Sequence, residues 1–501
     1  MIAYCALRIM ITCLQYPINR RRIYFLWLQK VTYIVMCIIA NCSVLGPAMG
    51  LGYSAVALPS LTSPQSQIKI NESQASWIAS IAAIGTPIGC ILSSFLMRRG
   101  RKPSILSTSV VSLSGWIIIY LSANFEQLLI GRLLSGIATG LASVPATVYA
   151  AEVSVPKLRS IVVTWTSIAI AVGILIVYIL GYIFQDNWRM IALVSGLFPI
   201  LAIILTVGIL PESPIWLRDR GRNDEALEIL KKFRGIPADT TAPQKLLDEL
   251  RIKNSPKKKN LLRSLLRRSS IQPFAIMLCY FFFQQFSGIF VIVFYAVDIA
   301  RNAGIKIDAY LAAILIGFTR LIGTFLICYI SRKFGRRPPS IASGAGMTLV
   351  MGILSLYLFL NSRNYVIGDG GLIPVVCILM LIFSSTLGFL VLPFAMIGEI
   401  YPTKVKDVLS GLTTCIAYIF SFISIKTYPD MQHLMGEHGV FLFYCIMSLI
   451  GTIFVLIFLP ETKGKTLQEI EELFIRKSKI SKNDVIEKEK MIEPKEIVTI
   501  S

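Results

Sequence analysis

Long apolar runs alternate with short polar breaks along almost the whole chain. A helix needs about 20 mostly apolar residues to cross the hydrocarbon core of a bilayer. By that measure the runs predict spans at 31–60, 76–97, 104–123, 127–150, 160–184 and 189–210, then 271–299, 308–331, 338–361, 372–400, 408–429 and 437–459. The pattern is six spans, a polar interruption, and six more. It predicts an all-α membrane protein with twelve transmembrane helices in two six-helix halves. The expected organisation is an N-terminal segment over 1–30, a first bundle over 31–210, a linker over 211–270, a second bundle over 271–459 and a tail over 460–501. Within the linker, residues 222–236 read as an amphipathic helix, with Ala226, Leu227, Leu230 and Phe233 on one face. Residues 476–501 form a charged tail with no apolar period.

Composition supports a lipid solvent. Hydrophobic residues make up 55% of the 501-residue chain and charged residues only 15%. The net charge of +21 sits in patches between the spans, not on one nucleic-acid-binding surface. No nucleic-acid partner is expected; the partners are the bilayer and a small solute. Arg20–Arg22, Arg98–Lys102, Lys157 with Arg159, Arg332–Arg337 and Lys404 with Lys406 mark alternate loops, and 211–270 holds 15 basic against 8 acidic residues. Basic loops face the cytoplasm, so both termini are expected there, in a multi-pass plasma-membrane protein. Asn71-Glu72-Ser73 is a glycosylation sequon in the first outer loop. The cysteines lie inside apolar runs without CxxC spacing, and His433 and His438 flank no ligand cluster. No metal or cofactor is expected, and the absence of GxSxG, HExxH and GxGxxG motifs argues against an enzyme.

The two halves repeat. Gly100-Arg101-Lys102-Pro103 returns as Gly335-Arg336-Arg337-Pro338, 235 residues on. Glu152 with Arg159 returns as Glu399 with Lys406, 247 on, and Pro211-Glu212-Ser213 returns as Pro460-Glu461-Thr462, 249 on. Each motif holds the same place relative to the spans, as in an alternating-access carrier built from repeats. With Gly131-Arg132, Gln284-Gln285-Phe286-Ser287-Gly288 and Pro460-Glu461-Thr462-Lys463-Gly464, the chain resembles the sugar porters of the major facilitator superfamily from about residue 35 to 475. The runs Gly52–Val56 and Ala75–Ser80 look most like the insect facilitated trehalose transporters.

The resemblance implies facilitative transport of trehalose or a hexose by a monomeric carrier without cofactor. It places Arg98, Arg101, Arg132, Glu152, Arg159, Glu212, Arg336, Arg337, Glu399, Lys406 and Glu461 in the gate, with the glutamates expected as latches between the halves. The acid that opens the family's loop motif is Met97 in the first half and Arg332 in the second, so a shifted gate equilibrium is expected. Gln284, Gln285, Ser287, Tyr295, Ser167, Arg320 and Phe394 are the expected substrate contacts. Phe290, Phe394 and Ala417 replace polar or indole groups of the family, which predicts a drier cavity. A non-transporting sensor with the carrier fold, and a carrier of a less polar solute, stay open as alternatives. Where proton-driven relatives carry an Asp in span 1, this chain has Ser54, so transport is expected to be uncoupled.

Overall fold

The computed structural model describes residues 20–63, 66–154, 162, 164–185, 187–234, 265, 267–302, 308–363, 371–402, 405–463, 469 and 474. Arg159, the first 18 residues, the linker at 255–259 and the tail over 476–501 lie outside them. The regular elements among the described residues are all helices. In chain order the helices are α1 (Arg20–Leu61), α2 (Glu72–Leu96), α3 (Arg101–Leu121), α4 (Phe125–Ala142), α5 (Pro145–Val153), α6 (Trp165–Ile183) and α7 (Trp188–Gly208). The linker region contributes α8 (Pro214–Asp219) and α9 (Asn223–Arg234), the latter on the expected amphipathic stretch. Then follow α10 (Arg268–Gln285), α11 (Ile289–Phe294), α12 (Ala296–Asn302), α13 (Ala309–Phe334), α14 (Arg337–Ser362), α15 (Leu372–Thr386), α16 (Leu392–Ile400) and α17 (Lys406–Phe458).

Nine stretches among the described residues are long and apolar enough to cross a membrane. Three further features accord with the twelve predicted spans. The predicted seventh span is broken into α10, α11 and α12, and the tenth into α15 and α16. α17 holds the last two, because Gly436 leaves helical geometry at φ 68°, ψ 170°. A left-handed φ costs an L side chain roughly 1–2 kcal/mol, which glycine escapes.

The chain divides into two compact units. Unit 1 comprises Met1–Ile70 and Ile88–Asn254, and unit 2 comprises Asn71–Pro87 and Ser255–Ser501. The division falls near the predicted bundle boundary but gives the start of α2 to unit 2. In unit 1, α1 packs on α6 and α7, and α3 packs on α4 and α7. In unit 2, α14 packs on α15 and α17, and α10 on α17.

Small residues let these helices approach. On α3, Ser104, Thr108 and Ser109 are buried, and each hydroxyl donates to the carbonyl four residues back. A polar face that satisfies itself in this way can pack against another helix without stranding donors. The outer surfaces carry Leu121, Ile183, Leu197, Leu349 and Leu356 exposed, the arrangement expected where the outer solvent is lipid. Helix starts at the polar breaks are capped by side chains: Asn124 accepts from Gln127 N, Asn187 from Met190 N, and Asp308 from Tyr310 N and Leu311 N. Of the described cysteines only Cys37 and Cys377 are fully buried, and Cys279 is exposed, so most are less deeply packed than their apolar runs suggest.

Candidate functional site

The N-terminus of α3 carries unpaired backbone N–H groups, as every helix start does. Here a carboxylate fills that need. Glu212 Oε1 accepts from Arg101 N at 2.8 Å, and Lys102 N donates to both oxygens at 3.3 and 3.2 Å. The Arg101 side chain turns to Glu152, at the end of α5. Its Nη2 donates to Oε1 at 2.7 Å and its Nε to Oε2 at 3.0 Å, a two-point contact of the kind guanidinium geometry favours. Ser213, which also caps α8, donates through Oγ to Glu152 Oε2 at 2.5 Å. One motif from each of three separated stretches thus closes a single clamp on unit 1.

Unit 2 repeats the construction. Arg336 N and Arg337 N donate to Glu461 at 3.0 Å each, at the start of α14. Arg336 Nη2 donates to Glu399 Oε1 at 2.7 Å, and Thr462 Oγ1 donates to Glu399 Oε2 at 2.7 Å. Burial pushes the Glu461 carboxyl up, but the N–H groups of Arg336, Lys463, Arg337 and Thr462 outweigh it and hold the group below the usual carboxylate range. A depressed acid stabilises the fold above its unfolded pKa and loses that contribution as the pH falls through its folded value. The contribution of Glu461 to this clamp is therefore present above the usual carboxylate range and lost as the pH falls through its lowered folded value.

The four glutamates, expected as latches between the halves, each have partners within their own unit. Glu152 and Glu212 are paired with residues of unit 1, and Glu399 and Glu461 with residues of unit 2, because each acid meets the helix start next to it in its own repeat. The partner of Glu399 is Arg336. The acid absent from the loop motif is replaced by backbone: Arg101 Nη1 donates to Met97 O at 3.0 Å, and Arg336 Nη1 to Ser331 O at 2.8 Å. Arg98 O accepts from Arg220 Nη2 at 2.5 Å, and Arg337 Nη2 donates to Leu456 O. The hydroxyls of Ser213 and Thr462 were not singled out from sequence. Their signal was there, in a Pro-Glu-hydroxyl triplet that recurs in both halves.

Within unit 1, Arg132 is fully buried. Its Nη1 donates to Gly50 O at 2.6 Å, and its guanidinium lies 5.8 Å from the centre of the Tyr53 ring. Tyr53 is held in turn by its hydroxyl on Trp188 O at 3.0 Å. The charge is met by a carbonyl and an aromatic face. Ser54 is buried, and its hydroxyl has no hydrogen-bond partner. Ser167 is half-buried on α6, beside Thr166, whose hydroxyl meets that of Thr147 at 3.0 Å.

Within unit 2, the expected contacts separate into two groups. Gln284 and Gln285 are both fully buried at the end of α10, where Gly288 at φ 76° breaks the span. Gln284 Nε2 donates to Phe389 O at 2.6 Å and Leu390 O at 3.1 Å, the carbonyls freed by the break between α15 and α16. Ser287 Oγ donates to Gln284 O at 2.7 Å. Gln284 and Ser287 therefore tie two broken spans together. Gln285 keeps only a long contact to Gln284 Oε1 at 3.3 Å, and its own Oε1 has no partner. Tyr295 is likewise buried with an unpartnered hydroxyl. Phe394 packs its ring on Phe281 at 4.9 Å. Arg320 is buried midway along α13.

This asymmetry separates two variants. Gln285→Ala is expected to weaken apparent substrate affinity about tenfold, since a ligand group in a desolvated site loses its partner at a cost of roughly 1–3 kcal/mol. Gln284→Ala strands two carbonyls instead, and is expected to lower the amount of folded protein at the cell surface. Uptake kinetics together with surface labelling distinguish the two effects.

Two spans broken at one level, with buried amides at the break, and a clamp repeated at one end of each unit define a secondary carrier. Residues 30–474 match the family described as "Sugar (and other) transporter". The chain belongs to that family. It is 31% identical over 432 residues to a Drosophila simulans protein described as "Facilitated trehalose transporter Tret1-2 homolog", covering 86% of this chain and 88% of the relative. It is also 31% identical over 447 residues to "Facilitated trehalose transporter Tret1" of Polypedilum vanderplanki, covering 88% of each. Its fold is similar to that of a structure described as the inward open conformation of the xylose transporter XylE from E. coli, with a TM-score of 0.72 at 23% identity over 88% of this chain and 99% of that one. A XylE structure bound to 6-bromo-6-deoxy-D-glucose matches with a TM-score of 0.70, covering 89% and 100%.

Proposed function

We propose that this sugar transporter carries trehalose or a hexose across the plasma membrane by facilitated, uncoupled alternating access. The relatives described as facilitated trehalose transporters support the substrate. The placement of acids in the first half supports the mode. Coupling to protons needs a group that titrates and changes charge between states. The helices α1 to α7 carry acids only near their ends, at Glu72, Glu126 and Glu152, and Ser54 stands in the last third of α1, next to Tyr53. Uptake of radiolabelled trehalose into cells lacking other carriers is expected to be unchanged by a protonophore and never to exceed the external concentration. Uphill accumulation that collapses with the protonophore would refute the uncoupled mode.

Cytoplasmic termini and a glycosylated outer loop belong to the same proposal. Asn71 is exposed at the start of α2, where its Oδ1 accepts from Gln74 N at 2.7 Å, leaving the amide nitrogen that carries a glycan uncommitted to that cap. Glycosidase treatment is expected to raise the gel mobility of the protein but not of an Asn71→Gln variant. A shift in both would place the glycan elsewhere.

A further inference from the structure

Resting on the reading as a sugar transporter set in a bilayer, we propose that each unit binds the headgroup of an anionic phospholipid beside its clamp. In unit 2 the clamp uses both of its acids. Glu399 takes Arg336 and Thr462, and Glu461 takes the backbone N–H groups of Arg336, Arg337 and Lys463. The side chains of Arg332, Lys333, Arg337 and Lys463 have no carboxylate partner among the described residues. Where the loop motif would carry an acid, this chain has Arg332. Ser331 O takes the hydrogen bond of Arg336 but brings no negative charge.

The fold then gathers these cations. Lys463 Nζ donates to Lys333 O at 2.6 Å, so both residues meet at the end of α13, whose last turn also holds Arg332. Arg337 donates to Leu456 O near the end of α17, and its Nε has no partner. The carbonyls of a helix end account for one cation. Several side by side repel one another, and an anion shared among them removes that repulsion.

Unit 1 repeats the arrangement. Arg220 Nη2 donates to Arg98 O at 2.5 Å, and Lys102 Nζ to Val207 O at 3.2 Å. Arg98 and Lys333 are 235 residues apart and Val207 and Leu456 249, the same offsets as the clamp motifs. Arg98, Arg99, Lys102 and Arg220 likewise have no carboxylate partner among the described residues.

The neighbouring surface selects the ligand. Arg98 lies 5.5 Å from the ring centre of exposed Phe95, and Lys333 lies 5.5 Å from that of exposed Phe334. Val207 and Leu456 are exposed as well. Each group of cations therefore sits where the lipid-facing apolar surface ends, at the level of headgroup phosphates. Basic residues there gain about fivefold in affinity each for an anionic lipid surface. A phospholipid satisfies both features, with its phosphate among the cations and its chains along the apolar side chains. The phosphate supplies the charge that the loop motif lacks.

Native mass spectrometry of the full-length protein tests this, with phosphatidylserine and phosphatidylcholine of identical chains at equal concentration. Two phosphatidylserine molecules are expected to stay bound, with roughly tenfold preference over phosphatidylcholine. Arg332→Gln with Lys333→Gln should leave one, Arg99→Gln with Arg220→Gln should leave one, and the combined variant none. Arg332→Lys with Lys333→Arg, which keeps the charge, should retain both. Thermal unfolding in phosphatidylcholine alone reports whether each variant is folded. If a multiple variant is not, Lys463→Gln alone should weaken retention of the second lipid about fivefold, and unchanged retention would overturn the inference. Equal retention of the two lipids would do the same, as would a preference that survives in the combined variant. Glycerophosphoserine, which lacks the chains, is expected to give no thermal shift at the lipid's concentration; an equal shift would mean that a free anion suffices and the inference fails. Sugar uptake into proteoliposomes is scored separately. Lipid preference without flux leaves the inference standing and fails the transport reading, and flux without lipid preference does the reverse.

Discussion

Glu152→Gln and Glu399→Gln are each expected to cut uptake tenfold or more while the protein still reaches the membrane. Each glutamate takes a guanidinium fork and a hydroxyl at once, from Arg101 with Ser213 and from Arg336 with Thr462. In the first clamp the side chains of Arg101 and Glu152 are only 18% and 13% exposed, so water replaces little of what is lost. Removing one partner of a fully buried pair costs roughly 3–5 kcal/mol, and a tenfold effect needs only about 1.4. The amide of Gln keeps the size and one acceptor oxygen, which favours a folded but misadjusted clamp. Glu152→Asp should recover part of the rate because it restores the charge. Radiolabelled uptake normalised to surface-labelled protein reads this directly. Normal rates in both Gln variants would reduce the clamps to aids for membrane orientation.

A larger structural effect is expected at the two glycines that precede the clamped helices. Gly100 has φ 145° and Gly335 has φ 91°, regions that L side chains rarely adopt. The backbone needs these angles so that the starts of α3 and α14 can present their N–H groups to Glu212 and Glu461. A Cβ at either position would also run into the carboxylate itself. Ala therefore meets backbone strain and a steric clash together, and the carboxylate cannot retreat without releasing the N–H groups. Gly100→Ala and Gly335→Ala are each expected to lower surface protein several-fold and to remove most uptake. Gly208→Ala is the matched control, since a Cβ there meets nothing within 4 Å. If the clamp glycine variants are expressed and transport like that control, the clamp geometry is not required.

Much of this was legible in the linear chain. Apolar runs of about 20 residues can satisfy their backbone in lipid only as helices, so span positions followed from hydropathy. The twofold repetition and the basic loops then followed from charge placement and the recurring Gly-Arg, Glu and Pro-Glu motifs. Those motifs also named the clamp residues, since Arg101, Glu152, Glu212, Arg336, Glu399 and Glu461 all stand where their repeats put them.

Tertiary structure decided which groups each of these residues faces. Sequence placed Glu399 near an Arg-rich loop, and the fold chose Arg336 as its partner, because a helix start and a helix end distant in the chain meet there. Nothing in the string Gln284-Gln285 separates the two amides. The break at Gly288 and the loosened carbonyls of Phe389 and Leu390 claim the first and leave the second available. The missing loop acid looked like a loss in the sequence, yet the Met97 and Ser331 carbonyls take up the arginine side chains. Backbone carbonyls are the same in every residue, so their service as acceptors leaves no mark in the sequence and appears only when the chain is folded.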